Sequence, residues 1–161
     1  MTSSIPLSLT GFAVFAGLAG ALVPFQAGAN ATLGRALGHP LWATAASLLV
    51  SLLALAPVMF ALRAPAPQLA LQQVPCWAWA GGVAGVIYIS AALLLTPSMG
   101  ATRFIACVIA GQVFASLLID HFGLMGLAVK PVNLGRVVGM ALIIAGVVCV
   151  QYWGTTSQAP T

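Results

Sequence analysis

The chain is nearly without charge. Of its 161 residues, Asp, Glu, Lys and Arg make up 4%, whereas a soluble domain carries about 25%. A small soluble fold exposes much of its surface and needs polar side chains to cover it, so a water-facing domain is excluded. Acidic groups are scarcest: Asp120 is the single carboxylate side chain and there is no glutamate. With one Asp and two separated histidines, His39 and His121, no recognisable spacing assembles a metal site or a catalytic dyad, and an enzyme is not expected. The three cysteines, Cys76, Cys107 and Cys149, have no paired spacing that would make a disulfide framework or a metal knuckle; they read as buried, inert thiols. No cofactor is implied. The five basic residues, Arg35, Arg63, Arg103, Lys130 and Arg136, stand singly and form no patch, which argues against nucleic acid as a partner.

What is present is hydrophobicity, at 61% of the residues. Isolated cations at the ends of apolar segments suit helices in lipid, because their stems lie along the hydrocarbon while the charge reaches the headgroups. A bilayer core takes about 20 helical residues to cross, and the charges and prolines cut the chain into five blocks of that size. They predict spans over 7–31, 41–62, 77–95, 101–119 and 134–153. Arg35 to Pro40, Arg63 to Pro75, the turn from Thr96 through Pro97 to Gly100, and Asp120 to Asn133 are the separators. The runs are continuous rather than alternating, which excludes a membrane β-barrel. The expectation is an all-α integral membrane bundle forming one domain over 1–161. Ala27-Gly28-Ala29 has the small residues of a signal-peptide cleavage site, but the first 34 residues lack a basic leader, so the segment is read as a helix. Three cations on the N-terminal side against two on the other give a weak orientation bias. A cytoplasmic N-terminus and insertion in both orientations, with pairing to an inverted copy, both fit it.

Polar groups inside such spans are costly unless partnered. Gln26 and Asn30 share a face of the first span just after Pro24, whose missing N–H leaves the Gly20 carbonyl without its usual donor. They could line a binding cavity or hydrogen-bond a neighbouring helix as glue. Gln112, Ser116 and Asp120 recur four apart and make a polar stripe on the fourth span. At the interface Asp120 would merely end its helix; submerged, it would favour its neutral form and could exchange a proton. His121 reads as a capping or interfacial histidine. If the faces of the first and fourth spans meet, their polar groups form a ladder across the membrane. Thr44, Ser47 and Ser51, then Gly81, Gly85, Tyr88 and Ala92, and Gly135, Gly139 and Gly146 are read as close-packing faces. Trp42, Trp77, Trp79 and Trp153 are read as interfacial anchors, and Tyr88, deeper in its span, as a solute contact.

The run Gly111-Gln112-Val113-Phe114-Ala115-Ser116-Leu117-Leu118-Ile119-Asp120-His121-Phe122-Gly123-Leu124, followed by Lys130-Pro131 and Arg136, resembles the YdcZ family of the drug/metabolite transporter superfamily. The likeness extends to Gln26, Asn30, Leu33-Gly34, Pro40 and Ser47. It implies a multi-pass protein of the bacterial inner membrane, half of a ten-helix exporter completed by a homodimer or a paired homologous subunit. Related four-helix exporters bind cations and protons through a carboxylate in their first helix; this first span has none. The expected function is secondary transport, export of a small organic solute by alternating access. The cavity would be lined by Gln26, Asn30, Gln112, Ser116 and Tyr88, with Asp120 as the group available for proton coupling. The alternative is a non-transporting membrane subunit that scaffolds or regulates a partner protein.

Overall fold

The computed structural model describes residues 9–66 and 74–154. Without water to satisfy N–H and C=O groups, long apolar runs must bond their backbone internally, and they do so as five helices: α1 (Leu9–Ala36), α2 (Pro40–Ala61), α3 (Ala80–Met99), α4 (Ala101–Phe122) and α5 (Leu134–Trp153). Short 3-10 turns, Cys76–Trp79 and Leu124–Gly126, precede α3 and follow α4. There is no strand among the described residues. All five helices are long and apolar enough to cross a membrane.

The differences from the expected spans have local causes. Leu7, the predicted start of the first, lies outside the described residues, as does part of the Arg63 to Pro75 separator. α1 runs past Ala31 to Ala36, stitched by Thr32 Oγ1 donating to the Gly28 carbonyl (3.1 Å) and by Arg35 Nη2 donating to Thr32 Oγ1 (2.9 Å). α3 absorbs Thr96 and Pro97, which were expected in a turn, and breaks only at Gly100, where φ is +81°. α4 continues through Asp120 and His121 to Phe122. The predicted separator therefore begins too early: Gly123, not Asp120, stops the helix, because it adopts the left-handed conformation (φ +60°) open to glycine.

Contacts gather into two units, Met1–Ser98 and Met99–Thr161. In the first, the core is built of small residues: Ala27, Gly34, Ala43, Thr44 and Ala92 are buried, with Leu93. A Cβ on Gly34 would sit 3.6 Å from Ala43 and from Pro40 and 3.7 Å from Leu93, so α1 approaches both α2 and α3 here at ordinary contact distance. In the second unit α4 and α5 form a hairpin that buries Phe104 and Met140. Most large apolar side chains elsewhere are exposed, as lipid permits. The cysteines share this fate: Cys76, Cys107 and Cys149 are exposed rather than buried, because here an apolar side chain need not enter a core to leave water. The four tryptophans stand exposed at or near helix ends.

Candidate functional site

In the first unit, the spacing of Gln26 and Asn30 places both amides on the face of α1 that meets α3. With Val23, Ala27, Tyr88, Ile89 and Ala92 they line one cleft. Three of the residues singled out in the sequence, Gln26, Asn30 and Tyr88, thus come together. Asn30 is the unusual member. It is only 8% exposed, yet its side chain makes no hydrogen bond among the described residues. Its amide is not sealed off: it opens on the cleft, which leaves its hydrogen-bonding capacity available there. Thr44, 3% exposed, instead shares a 3.3 Å hydrogen bond with Ser90 that ties α2 to α3. The cleft is small: about 10 Å³, room for about one water molecule.

In the second unit, Ser116 and Asp120 face a groove of about 320 Å³ between α4 and α5. Its walls are Val113, Leu117, Met140 and Ile143, with Arg136 at the charged end. Asp120 Oδ2 lies 3.4 Å from Arg136 Nη1, both side chains about one-third exposed (33% and 32%). Neither charge suits its own helix. Asp120 occupies the last turn of α4 and Arg136 the first turn of α5, each opposed by the helix dipole and offset by the other. The loop between them is pinned at several points. A Cβ on Gly123 would meet Val129 Cγ2 at 2.6 Å and the Leu127 carbonyl at 3.2 Å. The Lys130 N–H donates to the Asp120 carbonyl (2.8 Å) and Arg136 Nη1 to the Lys130 carbonyl (3.0 Å). His121 Nδ1 accepts from the Val132 N–H (3.3 Å), and Asn133 Oδ1 caps α5 by accepting from the Arg136 N–H (2.9 Å). His121 is therefore a loop tie, in keeping with its capping reading. Gln112 is exposed and lines neither the cleft nor the groove.

Residues 11–149, from the first turn of α1 to near the end of α5, match the family model described as "Putative inner membrane exporter, YdcZ". The chain belongs to the YdcZ family. Membrane export is that family's described work, which is not an enzymatic class, and five membrane-spanning helices agree with a multi-pass inner-membrane location. Comparison with curated proteins and with solved structures gives no match.

Three polar contacts of this YdcZ-family chain escaped the sequence reading: Thr44 with Ser90, Asp120 with Arg136, and Arg103 with Gln151. In the last, Arg103 Nη2 donates to the Gln151 carbonyl (3.2 Å), while Gln151 Nε2 donates back to the Arg103 carbonyl (3.3 Å) and to Cys107 Sγ (2.9 Å). Arg103 thereby supplies a cation to the carbonyl end of α5, where the dipole favours it. A signal existed: Gln151 is the last polar side chain of its span that is not interfacial by type, and a lone amide so placed needs a partner.

Proposed function

We propose that the chain is one half of a secondary exporter whose solute is held by the amides of Gln26 and Asn30 and by Tyr88. The observation that carries this reading is Asn30: a largely buried residue whose amide opens on a cleft and has no partner among the described residues is a group left for a ligand. The volume of the cleft says what else is needed. Pockets for organic solutes run to about 300–1,000 Å³, far above the roughly 10 Å³ found between α1 and α3. A second copy of the chain, parallel or inverted, or a homologous subunit, supplies the remaining wall. Neutral amides and hydroxyls select small organic solutes that hydrogen-bond, and alternating exposure of that cavity carries them outward.

The test is thermal unfolding of the purified protein against a panel of small neutral hydrogen-bonding solutes. A solute that raises the unfolding temperature of the wild type should leave Asn30→Leu unshifted. An equal shift in the variant would remove Asn30 from the site.

Coupling to protons, in this reading, falls to Asp120, the chain's only carboxylate side chain. Protonation removes its attraction for Arg136 and loosens the contact between α4 and α5. Asp120→Asn should abolish pH-driven flux in proteoliposomes while the protein remains folded; undiminished flux would exclude the residue from coupling.

A further inference from the structure

The α4–α5 groove has a charged end that nothing in its own helices calls for. Both charges oppose their helix dipoles, and their mutual contact is a single long one, 3.4 Å between one nitrogen and one oxygen. An arginine carries five N–H donors in a fixed fork, but only Nη1 of Arg136 is engaged; Nε and Nη2, like Asp120 Oδ1, have no partner among the described residues. The spare capacity is therefore of both signs, a few ångströms apart. Apart from Ser116, whose hydroxyl is spent on the Val113 carbonyl (2.9 Å), the rest of the groove is apolar, walled by side chains such as Leu117 and Ile143. Its charged end coincides with the last turn of α4 and the first of α5, where membrane spans meet the headgroup layer.

We propose that this groove binds a membrane phospholipid whose headgroup is a phosphate–ammonium zwitterion, the phosphate on Arg136, the ammonium on Asp120, and an acyl chain along the apolar wall. The pairing reverses the order of charges in the protein, so each ion of the headgroup meets its opposite. Arginine's fork suits phosphate geometry, and a primary ammonium offers three donors to a carboxylate with an unused oxygen. The apolar wall favours a lipid over a soluble zwitterion, for which it would hold no partner. This assignment rests on the geometry of the hairpin and does not depend on whether transport is coupled to protons.

The experiment is native mass spectrometry of the full chain in detergent with equimolar phosphatidylethanolamine, phosphatidylcholine and phosphatidylglycerol. The ethanolamine lipid should be retained about tenfold over the choline lipid, whose methylated nitrogen cannot donate to Asp120, and over the glycerol lipid, which has no ammonium. Asp120→Asn should bring the ethanolamine-to-choline ratio near one, and Arg136→Gln should lower retention of all three. Soluble phosphoethanolamine should fail to displace the bound lipid. Equal retention of the three lipids by the wild type overturns the proposal without recourse to any variant. An unchanged ratio in folded Asp120→Asn, or displacement by the soluble headgroup, overturns it as well.

Discussion

The two units handle polar groups in opposite ways. In the first, the buried polar side chains are neutral: Thr44 is matched with Ser90, and Asn30 is left open to a cleft. In the second, the polar contacts are charged and gather at the ends of a two-helix hairpin, Asp120 with Arg136 at one end and Arg103 with Gln151 at the other. The charged groups all lie in a terminal turn of α4 or α5, whereas Asn30 and Thr44 lie just inside the terminal turns of α1 and α2. In a terminal turn a charge can stay partly solvated, so an ion pair there costs little and contributes little; farther into a span a charge becomes expensive, and a neutral group is the cheaper one to keep in reserve for a ligand. A contact that closes a hairpin and a group that waits for a solute therefore need different chemistry.

The largest effect on stability should come from the loop that sets the charged end of the hairpin. Gly123→Val places a β-branched side chain at φ +60°, with its Cβ 2.6 Å from Val129 Cγ2. Left-handed backbone at a non-glycine residue costs about 1–3 kcal/mol, and the contact adds to it. Thermal unfolding in detergent should fall accordingly; an unchanged midpoint would mean that the hairpin does not depend on this loop. The opposite end is expected to matter less. Gln151→Ala removes one amide that reaches both the Arg103 carbonyl and Cys107, a loss of about 1 kcal/mol, and it should raise hydrogen exchange at the close of α5 before it lowers the global midpoint.

Much of this was legible in the sequence, and the limits are instructive. The fifth span is found at 134–153, as expected, and the second lies within one residue of its expected ends, because hydrophobic length and flanking breakers act locally. The helix ends near Pro97 and Asp120 differ from expectation for a shared reason: neither the proline nor the charge stops its helix, and the backbone turns instead at Gly100 and Gly123, where φ is positive. The meeting of Gln26, Asn30 and Tyr88 followed from period and composition. The partners of Thr44, Asp120 and Gln151 did not, since a periodic pattern states which face a residue occupies but not which helix lies opposite.

The smallest expected effect is also the one that separates glue from site most sharply. Thr44→Val keeps the shape of a side chain that is 3% exposed and removes its hydrogen bond to Ser90; interhelical hydrogen bonds in membranes average about 0.6 kcal/mol, so unfolding should shift by about that much with solute binding intact. Asn30→Leu should do the reverse. It removes an amide that no described residue uses, so stability should hold or rise while the solute-dependent shift disappears. If Asn30→Leu instead lowers stability as much as Thr44→Val, the amide is paired in the membrane, Asn30 joins Thr44 as glue, and the contrast between a matched and a waiting polar group in the first unit is lost.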